Sequence, residues 1–312
     1  MFNIIEKRRW YFVISALVIV PGLIAMIYST VRFGTPVRLS IDFTGGALLE
    51  LEFEQPVQPG EVRQVFVDRG YTDTMVQTTA DERTVLIRSD FLESEVKMEI
   101  ESALEDRYGP LEELRFESVG PTIGGEVTRA AAMAVVTAAI VILGFIVVAF
   151  RRVPHAFRYG ACATASLVHD LLVAMGFFSI LGLFRGWQAD ALFLTAILTV
   201  IGFSVQDTIV VFDRIRENIP KRRGEPFELI VNRSILETIH RSLATQLNAI
   251  FVMIAILLFG GATMKQFIAT LLVGMLSGTY SSIFTAVPLL VVWEKGEVGQ
   301  FLRRLRRREA QA

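Results

Sequence analysis

The chain has a single cysteine, Cys162, in 312 residues, which excludes an intramolecular disulfide and a cysteine metal cluster. It also lacks a Walker loop, clustered metal ligands and a nucleophile motif, so the usual starting points for an enzyme are missing and no cofactor or metal is expected. The polarity of a soluble domain is absent too. Hydrophobic residues make up 52% of the chain and the mean hydropathy is +0.48, against about 45–50% apolar residues, glycine included, in soluble proteins. The composition is that of a membrane protein.

The formal net charge of −1 hides a segregation. Residues 33–126 hold 20 Asp or Glu against 8 Lys or Arg, whereas the rest of the chain holds 12 against 23. Acid and base therefore face different compartments. Apolar stretches near 10–31, 127–150, 157–184, 187–212, 239–259 and 267–293 each have about the 20 residues that a helix needs to cross a bilayer, which predicts an α-helical membrane protein with six transmembrane helices. The first stretch follows Lys7, Arg8 and Arg9 as in a signal peptide, but it is too long for a signal core and lacks a clear cleavage site, so it reads as a retained anchor. Basic clusters around 7–9, 151–158, 214–233 and 303–308 all fall on one side of a six-span arrangement, which predicts cytoplasmic termini. The expected domains are 1–32 (N-terminus and first helix), 33–126 (exterior), 127–293 (five-helix bundle) and 294–312 (basic cytoplasmic tail).

The acidic region reads as a folded domain. Residues 37–53 alternate apolar and polar side chains at period two, 59–69 fits a short helix, and 74–79 with 84–88 suggests a hairpin across Asp81 and Glu82. Residues 93–108 repeat apolar side chains at helical spacing through Val96, Ile100 and Leu104 and stop at Gly109 and Pro110. Residues 114–119 suggest a last strand. The order β, α, β, β, α, β is that of a ferredoxin-like, split βαβ unit, a fold that names no activity.

Asp207 lies inside the apolar stretch 191–212, just after Gln206. An ionised Asp at the centre of a membrane helix costs about 2.5–3.5 kcal/mol, so such a residue usually faces a partner, a cavity or an ion path. If the fourth helix ends near Asp213 and the fifth begins near Ile235, Asp207 and Arg241 both lie about 9 Å deep and can pair. Movement of the guanidinium would then switch the carboxylate between taking up and releasing a proton. The alternative is a static ion pair that orders the bundle. Asp170, beside His169 in the third helix, is either a second relay carboxylate or a hydrogen-bonding group between helices. His169 and His240 can titrate near neutrality, but each reads first as a polar interfacial residue. Gln246 and Asn248 read as hydrogen-bonding groups between helices. Gly274 and Gly278, with Ser277, Ser281 and Ser282 nearby, read as a close helix-packing face, with a moving interface as the alternative. The run Arg303 to Arg308 can bind anionic lipid or ribosomal RNA, or simply enforce topology.

Taken together, IDFTGGALLE (41–50), SVGPTIGGE (118–126), VHD (168–170), IGFSVQDTIVVFDRIREN (201–218) and FGG (259–261) followed by GTYSSIFTAVPLL (278–290) closely resemble the SecF family. That family is the smaller membrane subunit of the bacterial SecDF protein-export complex, within the resistance-nodulation-division superfamily. The resemblance implies a complex with SecD beside the SecYEG translocon of the inner membrane, with YajC, YidC, membrane lipid and the translocating preprotein as further contacts and no nucleic acid. It implies that the proton-motive force drives movements of the exterior head that assist late translocation, after the ATPase SecA has acted. The family's essential fourth-helix Asp falls on Asp207 and its fifth-helix Arg on Arg241, and further relay carboxylates come from SecD. Gln206 stands where the family usually has Asn, and Glu237 where Gln is common. Glu237 precedes Arg241 by four residues and is placed to compete for its guanidinium. Two other readings are a half-transporter of the same superfamily that exports lipid or small molecules, and an assembly subunit without ion coupling.

Overall fold

The computed structural model describes residues 3–78, 82–151, 153 and 155–296. Asp81 of the expected hairpin, Arg152 and the basic tail at 303–308 lie outside the described residues. Two compact units are present, Leu39–Met133 and the chain on either side of it.

The first long helix, α1 (Arg8–Phe33), ends at Gly34, whose positive φ of 78° lets its N–H close back on the Thr30 carbonyl at 2.9 Å. In the Leu39–Met133 unit, the period-two pattern predicts a strand from residue 37, but the structure breaks that segment. The Ser40 hydroxyl accepts the Asp42 N–H and caps one helical turn, α2 (Ile41–Thr44). Gly45 and Gly46, at φ +75° and +115°, then redirect the chain into β1 (Gly46–Phe53). A Cβ on Gly46 would lie 2.8 Å from the Ser89 carbonyl oxygen, so only glycine fits.

The unit continues through α3 (Pro59–Val67), β2 (Met75–Thr78), β3 (Thr84–Ser89), α4 (Ser94–Tyr108) and β4 (Leu111–Val119). The sheet order is β2-β3-β1-β4, with every neighbouring pair antiparallel. Alternation along β1 sends Leu49, Leu51 and Phe53 into a core shared with Val62 and Phe66 of α3 and Ile100 and Leu104 of α4. Each such side chain contributes about 1.5–3 kcal/mol on burial.

The bundle helices are α5 (Pro121–Ala149), α6 (Ala156–Arg185), α7 (Ala191–Lys221), α8 (Phe227–Phe259), α9 (Ala262–Ser281) and α10 (Val287–Glu294). A π-helical turn, Ser282–Ala286, joins α9 to α10. Counting that run as one, six helices among the described residues are long and apolar enough to cross a membrane. α1 and α6 meet backbone to backbone, because a Cβ on Gly22 would lie 2.8 Å from the Gly176 Cα. α5 leaves Met133, Val136, Ile140 and Phe145 exposed, a surface suited to lipid.

Three helix boundaries differ from the apolar pattern. α5 starts at Pro121, where proline suits a first helical turn. α7 runs eight residues past Asp213 as a charged helix, supported by Arg214–Glu217 and Arg216–Asp213 pairs at i,i+3. α8 begins twelve residues before position 239. Hydropathy marks where a helix enters lipid and not where its backbone hydrogen bonds stop.

Candidate functional site

α7 starts firmly: the Asp190 carboxylate accepts the Phe193 N–H at 2.8 Å as an N-cap. Four turns on, Asp207 is buried at 5% exposure. Its partner is not Arg241. Gln246 Nε2 of α8 donates to Asp207 Oδ2 at 2.7 Å, and among the described residues Asp207 Oδ1 makes no hydrogen bond. The Asp207–Gln246 bond and the Asn218 Nδ2 to Ser234 Oγ bond at 3.0 Å set the antiparallel register of α7 and α8. Arg241 precedes Gln246 by five residues, hence about 7.5 Å along the axis and about 140° around it. The expected Asp207–Arg241 pair assumed helix ends near Asp213 and Ile235, and the longer helices shift that depth.

Arg241 is exposed and makes no ion pair among the described residues. It lines a cavity of about 270 Å³ with Asp213, Arg214, Glu217, Glu237 and Thr238. Glu237 does not take its guanidinium either. Arg214 Nε reaches Glu237 Oε2 at 2.6 Å and Asn218 Nδ2 donates to the same oxygen at 2.9 Å. Gln206 is exposed and makes no side-chain hydrogen bond among the described residues.

Asp170 is fully buried and accepts four hydrogen bonds. His169 Nδ1 at 3.0 Å and Ser277 Oγ at 2.6 Å reach Oδ1, while Ser204 Oγ at 2.6 Å and Ser281 Oγ at 2.7 Å reach Oδ2. One carboxylate thereby ties α6, α7 and α9 together. His169, contacting a carboxylate, carries its hydrogen on Nδ1. Its ring stacks on Tyr280 at 6.1 Å, and Tyr280 Oη donates to the Tyr11 carbonyl at 2.7 Å. Thr208 Oγ1 donates to Ser282 Oγ at 2.9 Å, and Ser282 Oγ donates to the Ser204 carbonyl at 3.1 Å.

Gly274 and Gly278 present their bare faces to α7. A Cβ on Gly278 would lie 3.3 Å from the Ser204 Cα, and one on Gly274 would overlap the Val200 side chain. That closeness brings Ser277 and Ser281 within reach of Asp170. The serines were legible as small residues at helical spacing, but their role as donors was not, since it depends on which helix faces them. The π turn that follows has a local cause. Pro288 has no N–H to give and its ring crowds the carbonyl of Phe284, so the helix widens just ahead of it. Among the described residues no group of three or more His, Cys, Asp or Glu is placed to hold a metal.

Known proteins give this arrangement its context. The family model described as "Protein export membrane protein SecD/SecF, C-terminal" matches residues 99–296, and the SecD/SecF GG motif matches 33–57. A protein translocase subunit SecF from Anaerolinea thermophila is 49% identical over 308 residues, covering 97% of this chain and 98% of its own. One from Vibrio alginolyticus is 36% identical, with 93% and 91% covered. The crystal structure of SecDF, a translocon-associated membrane protein from Thermus thermophilus, superposes with a TM-score of 0.76 at 31% identity. It covers 94% of this chain, while this chain spans 39% of the SecDF chain. With likeness running nearly end to end in sequence and in structure, the chain belongs to the SecF family of protein translocase subunits, multi-pass membrane proteins of protein export.

Proposed function

We propose that this chain pairs with SecD in the bacterial plasma membrane and uses inward proton flow to assist late export of preproteins through SecYEG, after SecA has acted. Both termini face the cytoplasm and the Leu39–Met133 unit is the exterior head. The head is ferredoxin-like in this reading, supported by two helices on a sheet of order β2-β3-β1-β4. The proton-motive force suffices as an energy source, since each charge crossing 100 mV releases about 2.3 kcal/mol.

The observation that carries the reading is the state of Asp207. It is buried, one oxygen is held by an uncharged amide, and the other is free among the described residues. Such a carboxyl can gain and lose a proton without first breaking an ion pair. Arg241 waits in the neighbouring cavity and would approach Asp207 only when α7 and α8 move. Asp170, saturated by four donors, is the fixed anchor of α6, α7 and α9, and His169 orients it.

The test is export of a labelled preprotein by membrane vesicles carrying the SecD pair, with and without a proton gradient. Asp207→Asn is expected to lose the gradient-dependent part of export. Unchanged gradient dependence in that variant would falsify the reading.

A further inference from the structure

Positive charge gathers without a counter-charge at the end of the bundle that holds Gly34 and Gly186. Arg32 lies in the last turn of α1, Arg38 follows the Gly34 turn, and Arg185 is the last residue of α6. None of the three makes an ion pair among the described residues. At this end of the bundle unit the described carboxylate is Asp190, and the Phe193 N–H already occupies it. The C-termini of α1 and α6 supply about half a negative charge each. Three guanidiniums, which stay protonated, exceed that.

Arg38 is half-buried and held in place. Its carbonyl accepts the Ala189 N–H at 2.7 Å. A Cβ on Gly182 would lie 4.0 Å from its Cγ, and one on Gly186 would lie 3.7 Å from its Nη1. Two glycines therefore leave the space in which this side chain lies along the last turn of α6. Among the described residues its guanidinium makes no hydrogen bond to that turn, so its donors remain open. The guanidinium carbon of Arg38 is 4.9 Å from the centre of the Phe33 ring and that of Arg32 is 5.4 Å from it. The two cations thus lie within about 10 Å of each other, near enough for one phosphate to bond both. Arg32 otherwise has a long contact, 3.5 Å from Nη1 to Tyr28 Oη. Tyr28, Phe33 and Phe184 are exposed around this cluster and Trp187 is half-buried beside it, the aromatic belt of a helix end at headgroup level.

We propose that Arg32, Arg38 and Arg185 hold the phosphate of an anionic membrane phospholipid. Each guanidinium offers paired N–H donors that match two phosphate oxygens. The acyl chains then follow the exposed apolar face of α1 at Val31, Ile27 and Ile24. A free phosphate has the same oxygens but nothing to cover that face, and a zwitterionic lipid brings an ammonium toward three cations. Bound there, the lipid clasps the end of α1 to the end of α6, beyond their backbone contact at Gly22 and Gly176. The site faces whichever leaflet meets this end of the bundle, so it depends neither on the direction of crossing nor on Asp207.

The test is site-specific quenching in the full chain. Cys162→Ala removes the native thiol, and Phe184→Cys, at a side chain 84% exposed next to Arg185, takes a bimane fluorophore. The labelled chain is placed in phosphatidylcholine vesicles containing either brominated phosphatidylglycerol or brominated phosphatidylcholine, whose bromines quench on contact. Half-maximal quenching is expected at about tenfold lower content of brominated phosphatidylglycerol. Equal quenching by the two lipids overturns the site. Arg32→Gln combined with Arg185→Gln removes two exposed charges and leaves the packed Arg38 in place, so folding is spared. That pair should cut the preference to about threefold or less, and adding Arg38→Gln should abolish it. A preference that survives the exposed pair unchanged, or survives all three changes, overturns the assignment. Inorganic phosphate in large excess over the lipid should leave the quenching as it was. Recovery of fluorescence would assign the site to free phosphate and overturn the lipid.

Discussion

Gln246 Nε2 donates to Asp207 Oδ2 at 2.7 Å across the α7–α8 contact, with both side chains buried. A neutral amide supports the carboxylate without fixing a positive charge beside it, as the proposed proton role of Asp207 requires. A hydrogen bond to a charged group contributes about 1.5–3 kcal/mol. Gln246→Leu is therefore expected to lower gradient-driven export by about tenfold or more, while the chain still reaches the membrane with SecD. Initial rates of preprotein export measure this, and full activity in the variant removes the bond from the mechanism.

Asp170 should behave differently, as a structural anchor. In Asp170→Asn an NH2 group replaces one oxygen, and whichever oxygen is lost, two donors then face a donor. The expected cost is on the order of 3 kcal/mol, against about 1 kcal/mol for Ser277→Ala. Thermal unfolding in detergent reads both, and an Asn variant that melts with the wild type contradicts the four-donor cage.

The α7–α9 contact is tight enough to reject a methyl group. Gly274→Ala pushes a Cβ into Val200, and overpacking of this kind costs about 1–3 kcal/mol. Val200→Ala should restore most of that loss when the two changes are combined. A double-mutant cycle on unfolding midpoints checks it, and additive effects would place the strain elsewhere.

In the Leu39–Met133 unit, burial pushes the Glu101 carboxyl above the ordinary carboxylate range, although Lys97 at 3.2 Å pulls the other way. A raised native pKa means that the folded state holds the proton more tightly than the unfolded chain. The resulting stabilisation is present in acid, below the unfolded value, and is lost as pH rises through the folded value. Glu101→Gln should thus gain on the wild type between about pH 4 and pH 7. Pulse proteolysis of the intact protein across that range measures the gap, and a gap that shrinks as pH rises reverses the sign assigned to burial.

Much of this architecture was legible in the sequence because lipid imposes simple demands. Runs of about 20 apolar residues mark spanning helices, and Asp170 and Asp207 stand out against them. The helix ends were harder to read. The segment from Asp213 to Lys221 is too charged for lipid yet stays helical through its i,i+3 pairs, so a depth counted from Asp213 set Arg241 level with Asp207. The hydroxyl donors were hidden for another reason. Ser277 and Ser281 look like packing residues until the register of α6 against α9 is known, and Gln246 looks like any interhelical amide until α7 faces it. In the Leu39–Met133 unit, period two from residue 37 masked α2, whose cause is a side-chain cap and two glycines.

The π turn at Ser282–Ala286 gives the sixth span one residue more than an unbroken α-helix would use over the same rise. Neighbours in sequence there serve different helices: Ser281 reaches Asp170 on α6 and Ser282 reaches Thr208 on α7. Spacing between Gly278 and Pro288 is consequently a matter of integer count. Removing one residue would relax the turn to α geometry and leave α10 facing its present neighbours, but one of the two clusters would lose its hydroxyl. This stretch should bear changes of side chain far better than any change of length.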